Sequence, residues 1–207
     1  MNVVILVDLQ NDFLTGGTLA VPSGDEVIAV ANRLLRQFKL NVATQDWHPA
    51  NHGSFAANHP GKLPGDEIEL NGVAQVLWPI HCVQYTYGAK LSASLDLSRI
   101  KRVFQKGADP LIDSYSGFFD NGHLKATGLG EYLRHEGVSD CFIMGLATDY
   151  CVKFTALDAR GAGFQAYLVA DGCRGVGLVA GDVEKSIEEM VAVGVKIVNS
   201  DEIAGEE

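Results

Sequence analysis

Val3-Val4-Ile5-Leu6-Val7 runs without interruption into Asp8. Five apolar residues in a row, mostly β-branched and with no polar alternation, predict a strand buried on both faces, as parallel sheets require. Outward from this strand, short β-branched runs alternate with helical patterns. Apolar residues recur at Val27, Val30, Ala31, Leu34, Leu35 and Phe38, the spacing of three and four that predicts a helix over 27–38. A second strand reads at 41–44 and a third at 101–105. A short helix at 128–136 leads to a fourth strand at 141–144, and 151–160 reads as helical, with Val152, Thr155, Ala156 and Ala159 on one stripe. Strands at 165–169 and 195–198, joined by a helix around 183–192, complete the set. Strand and helix in alternation predict an α/β fold: a mostly parallel six-stranded sheet flanked by helices in a Rossmann-like three-layer arrangement, one domain over 1–207.

Composition narrows the function classes. The chain has 207 residues, 47% hydrophobic and 20% charged, an ordinary globular balance. Its formal charge of -10, from 26 acidic against 16 basic side chains, comes with no basic cluster, so nucleic acid is not expected as a partner. The N-terminus has no basic n-region and meets Asp8 too early for a signal peptide, and no stretch approaches the ~20 apolar residues of a membrane span. A cytoplasmic protein without membrane contact is expected; whether it forms a homo-oligomer stays open. Cys82, Cys141, Cys151 and Cys173 form no CxxC pair and are expected as free thiols. From about 46 to 91 the periodicity breaks down into a Gly, Pro, Asn and His-rich segment, too long for a mere connector and read as a functional loop. Gly205-Glu206-Glu207 is expected to fray.

In an open parallel sheet, ligands bind beyond the carboxyl ends of the strands. Asp8 follows the first strand, Asp46 and His48 the second, Lys106 the third, and Gly145-Leu146-Ala147-Thr148-Asp149-Tyr150-Cys151 the fourth. An acid, a lysine and a thiol therefore converge on one edge. Thr148 and Asp149 are good N-caps, which predicts Cys151 in the first turn of a helix, where the dipole and a nearby Lys106 favour thiolate. Asp8 beside that thiol would accept its proton. A lone cysteine near a helix start is more often a small buried hydrophobe, and Lys106 alone reads as a surface charge. The trio outweighs its members. Asp46-x-His48 puts two ligand types on one side of an extended segment, with His52, His59 or His81 as third ligand; the donors suit zinc, iron or manganese. The Gly172-Cys173-Arg174-Gly175-Val176-Gly177 stretch has the wrong order for a dinucleotide-binding GxGxxG.

With these residues in place, the chain resembles the nicotinamidase/pyrazinamidase family of isochorismatase-like cysteine hydrolases. The resemblance runs through Val7-Asp8-Leu9-Gln10-Asn11-Asp12-Phe13, Asp46-Trp47-His48-Pro49, Trp78-Pro79-x-His81-Cys82, Lys106-Gly107, Tyr115-Ser116-Gly117-Phe118 and the 145–152 segment. It implies hydrolysis of nicotinamide, and of pyrazinamide, to the acid and ammonia through a Cys151 thioester, in NAD salvage. It further implies Asp8 and Lys106 as the other catalytic residues, and an oxyanion hole from the N–H groups of Ala147 and Cys151 beside a cis peptide bond before Ala147. By the same resemblance, Phe13, Trp78 and Tyr115 line the ring of a small aromatic amide. Asp46, His48 and His81 hold one divalent metal ion, zinc first, with iron or manganese as alternatives. Relatives acting on isochorismate or N-carbamoyl compounds generally lack that metal motif.

Overall fold

β1 (Asn2–Val7) lies at the centre of a six-stranded sheet, with Val3, Val4, Ile5, Leu6 and Val7 all fully buried, which is why its sequence does not alternate. This computed structural model describes residues 1–204, so the Gly205-Glu206-Glu207 expected to fray lie outside the described residues. On one side of β1 come β2 (Asn41–Asp46) and β5 (Arg102–Lys106); on the other come β6 (Asp140–Leu146), β7 (Gln165–Arg174) and β8 (Lys196–Val198). Every adjacent pair in this sheet is parallel. The six strands are those expected, with shifted ends: β1, β2, β6 and β7 run longer, β8 starts one residue later, and β2 and β5 reach Asp46 and Lys106, which are register partners in the ladder.

The helices are α1 (Val27–Gln37), α2 (Leu129–His135), α3 (Lys153–Gly161) and α4 (Asp182–Ala192). α1 buries Val27, Ile28, Ala31, Leu34 and Leu35 and lies against β1, β6 and β7, while α3 lies against β6 and β7 and carries α4. No helix among the described residues is long and apolar enough to cross a membrane.

The strand order 5-2-1-6-7-8 changes direction between β1 and β6, and at such a switch point the loops leaving two neighbouring strands diverge and open a crevice. Asp8 leaves β1 there, and the turn bearing Cys151 leaves β6 beside it.

The 46–91 segment differs from its reading as aperiodic. It contains an antiparallel hairpin, β3 (Glu67–Leu70) and β4 (Val73–Val76), closed by Asn71-Gly72 with φ of 51° and 81°. Two successive positive φ values are what a tight hairpin turn needs and what Asn-Gly supplies, so the signal was present in the sequence. Parallel bridges Phe55↔Trp78 and His48↔Val83 tie the rest of the segment together.

Candidate active site

Cys151 sits in a wide π-turn, Thr148–Val152, that precedes α3; Val152 N–H donates to Ala147 O at 3.1 Å, five residues back. The expected first turn of an α-helix, capped by Thr148 or Asp149, is therefore not what forms. Asp149 instead accepts the N–H groups of Val176 (2.9 Å) and Gly177 (2.8 Å), anchoring the loop after β7. The peptide bond between Leu146 and Ala147 is cis.

Lys106, at the end of β5, is buried and reaches four acceptors. Its Nζ lies 3.3 Å from Cys151 Sγ, 2.8 Å from Asp8 Oδ2, 2.5 Å from Asp46 Oδ1 and 2.9 Å from Ser114 O. Asp8 turns off β1 at a φ of 51°, a left-handed conformation that aspartate tolerates better than most residues. The Thr44 hydroxyl donates to Asp8 Oδ1 at 2.6 Å. Asp8, Lys106 and Cys151, far apart in sequence, are thus brought into one contact.

Burial sets the resting protonation. It pushes the Cys151 thiol well above its ordinary value; Lys106 opposes this, while Asp8 and Asp46 add to it. Burial thus favours the thiol form of Cys151, against the expectation that helix dipole and lysine favour thiolate: removing the sulfur from water outweighs one cation already shared by two carboxylates. Burial, with a contribution from Asp46, also raises Asp8 against the pull of Lys106 and Thr44. Asp46 goes the other way: burial opposes its ionisation, but Lys106 and His48 hold it well below the usual carboxylate range. Two neighbouring carboxyls are driven apart, leaving Asp46 as the fixed anion and Asp8 as the group able to exchange a proton.

Asp46 Oδ2 also faces the Nε2 atoms of His48 (3.5 Å) and His81 (3.8 Å). His48 Nδ1 lies 2.7 Å from Gly107 O and His81 Nδ1 2.8 Å from Pro79 O. A carbonyl only accepts, so each Nδ1 carries a hydrogen and each ring turns its Nε2 toward the carboxylate. Three acceptors aimed at one point fit a divalent cation, and these three donor atoms lie within 4.8 Å of one another. Gly107 is required here: at φ 65°, a Cβ would lie 2.4 Å from the His48 ring. Of the other two histidines named from the sequence, His59 is bonded through Nε2 to Gly53 O at 2.7 Å. His52 lies with its ring 4.3 Å from that of His48, its Nδ1 held by Ser54 and its buried Nε2 without a hydrogen-bond partner; burial lowers it to about 4.

Beyond Cys151 opens a cleft of about 410 Å³, solvent at its mouth included, lined among others by Phe13, Trp78, Tyr115, His81 and Ala147. Tyr115 OH accepts from Trp78 Nε1 at 3.1 Å and Gln75 Nε2 at 3.0 Å. Sequence reasoning missed Leu19, Val21, Asp113, Tyr150 and Val176 in this wall; only Tyr150, beside Cys151, carried a local clue. It also missed Gln10, whose amide exchanges two 2.8 Å hydrogen bonds with the Asp46 backbone.

The Isochorismatase domain family matches residues 2–202. A nicotinamidase of Escherichia coli is 49% identical over 198 residues, 94% of this chain and 92% of that protein. The solved Acinetobacter baumanii nicotinamidase/pyrazinamidase superposes with a TM-score of 0.94 at 42% identity, covering 97% of each chain. The pyrazinamidase of Pyrococcus horikoshii, solved in complex with zinc, gives 0.78 at 39% identity, covering 96% of this chain and 98% of that one.

Proposed function

Because the chain belongs to the isochorismatase family, we propose, from the thiol, acid and lysine in contact at the sheet's switch point, that it hydrolyses nicotinamide to nicotinate and ammonia. Pyrazinamide, a similar aromatic amide, is a second substrate. The observation that carries this reading is the contact of Lys106 Nζ with Cys151 Sγ and Asp8 at the floor of a cleft with aromatic walls.

Asp8 takes the proton from Cys151, and the sulfur adds to the carboxamide carbon as the carbonyl π pair moves onto oxygen. The N–H groups of Ala147 and Cys151 receive that oxyanion. Asp8 returns the proton to the amide nitrogen, the C–N bond breaks, and ammonia leaves a thioester on Cys151. Water then gives a proton to Asp8 and adds to the thioester carbon. Collapse expels the sulfur, which recovers the proton, and releases nicotinate. Lys106 keeps its charge throughout, holding Asp8 and the sulfur together; Asp46 and Asp8 both raise its affinity for its proton, against the opposing effect of burial.

Asp46, His48 and His81 hold one divalent metal, zinc in the first instance. When bound, it would supply a Lewis acid at that corner of the cleft, while Phe13 and Trp78 form walls for the ring. A reducing compartment such as the cytoplasm suits a chain whose Cys82, Cys141, Cys151 and Cys173 are all free thiols. The physiological setting we assign is NAD salvage.

Ammonia release from nicotinamide, pyrazinamide and isochorismate, with and without chelator, tests the proposal. Nicotinamide should be preferred, and Cys151→Ala should lose more than about 10⁴-fold in kcat. Near-normal turnover by Cys151→Ala would sink the thiol mechanism.

A further inference from the structure

Behind the cleft lies a second depression of about 750 Å³, open solvent included, between the β3–β4 hairpin, α3 and α4. Its lining is polar, with Glu67, Lys153, Asp182 and Lys185 among its residues, whereas the cleft is lined largely by aromatic and aliphatic side chains. Two side chains line both spaces: Tyr115 and Tyr150. We propose that Tyr150 is the residue that limits substrate size, a removable partition between the ring-binding cleft and this groove. The proposal rests on the amidase reading above.

The two tyrosines are held differently. Tyr115 is clamped at both ends, its hydroxyl by Trp78 and Gln75 and its ring stacked on Phe154 at 5.4 Å. Tyr150 is held through its ring alone, edge-on to Trp78 at 4.8 Å and tilted against Tyr115 at 5.4 Å. Among the described residues its hydroxyl makes no hydrogen bond. Burial, followed by Asp149, Asp182 and Glu67, pushes that hydroxyl up to about 12, and all three acids line the groove. The ring therefore packs among the cleft's aromatic walls, while Tyr150 also borders the groove that carries those acids. Its backbone is anchored independently, Tyr150 N–H donating to Ala147 O at 3.1 Å, so the side chain can be cut back while the turn that presents Cys151 stays in place.

The cleft is narrow, with Phe13, Trp78, Tyr115 and Tyr150 crowding its walls. An amide extended across the ring meets Tyr150, and the groove beyond is closed to it. Removing the Tyr150 ring joins the two spaces.

The test uses full-length enzyme and nicotinamides bearing methyl or phenyl at each free ring carbon, read as kcat/KM relative to nicotinamide. Wild type should discriminate against the phenyl compounds by about tenfold or more. Tyr150→Ala should recover at least one of them, narrowing the ratio by about tenfold, while Tyr150→Phe, which keeps the ring, should hold the wild-type ratio. Tyr150→Leu, which keeps an apolar contact with Trp78, decides the matter if the alanine variant does not fold. An unchanged ratio in a folded Ala or Leu variant overturns the proposal. So does wild type that accepts the phenyl compounds as readily as nicotinamide, or a Phe variant that relaxes as far as Ala. Wild type that releases no ammonia from nicotinamide instead strikes the amidase reading.

Discussion

The two halves of the site are built by different means. Asp8, Asp46, Lys106 and the Cys151 turn stand at the ends of neighbouring parallel strands, and the β2–β5 ladder itself sets Asp46 opposite Lys106. His81 and Trp78 come from the 46–91 segment, whose placement depends on scattered hydrogen bonds. Trp78 N–H donates to Ser54 O at 2.8 Å, and Cys82 N–H, next to His81, donates to Asp12 Oδ2 at 2.7 Å. The strand-end half concentrates buried charge on a rigid frame, where a missing partner is costly. The loop half supplies shape and ligands through many small contacts, where losing one is tolerated. Damage should therefore be graded accordingly.

The largest effect is expected at Lys106. Lys106→Met strands Asp8 and Asp46 in the interior without their cation, and breaking a buried pair in this way costs about 3–5 kcal/mol. Denaturant unfolding should register that loss, together with near-complete loss of turnover. A variant of wild-type stability would remove the strand-end half's claim to rigidity through paired charge.

A smaller effect is expected at Asp12, which restrains the His81 loop from a distance. Asp12→Ala should weaken zinc binding about 10- to 100-fold, as outer supports of metal ligands commonly do, with little change in unfolding. Calorimetric titration with zinc measures it. Equal affinity would show that the loop needs no such tether.

The pH profile separates the two carboxyls within the strand-end half. In the proposed mechanism Asp8 acts as a base only when ionised, so its raised affinity for protons should move the acid limb of kcat/KM above the ordinary carboxylate range. Turnover should fall about tenfold per pH unit below that limb. Asp46, held low by Lys106, should remain an anion through the same range. A limb at or below the usual aspartate value would contradict the assignment of the exchangeable proton to Asp8.

The mildest change is Tyr115→Phe. It leaves Trp78 Nε1 and Gln75 Nε2 without their common acceptor, a loss of about 1–3 kcal/mol at most for buried donors. The expected result is a KM a few-fold higher with kcat little altered. A collapse in kcat would place Tyr115 nearer the chemistry than the cleft wall.

Much of this was legible beforehand because it is local. An unbroken apolar run can only be a strand covered on both faces, and the recurrence from Val27 to Phe38 is satisfied only by a helix. Strand ends in a parallel sheet share one edge, so Asp8, Lys106 and Cys151 could be brought together on paper. Two local readings failed. The Asn71-Gly72 hairpin was overlooked because its strands are short and half-exposed, which weakens the alternation that marks a strand. The helix start at Cys151 was misread because Asp149, a good cap by residue type, is drawn away by Val176 and Gly177, partners that no local pattern announces.

By itself, then, the sequence determined the order of strands and helices and the residue types that gather where the strands end, since both follow from periodicity and chain connectivity. The protonation of that gathering was decided only by the tertiary structure. Whether Cys151 rests as thiol or thiolate depends on how completely the fold removes it from water and on how many carboxylates share the one lysine. The same holds for the cleft wall. Tyr150 borders the cleft because a hairpin, a turn and two helices meet around it, and such a meeting depends on packing between distant segments that local sequence does not encode.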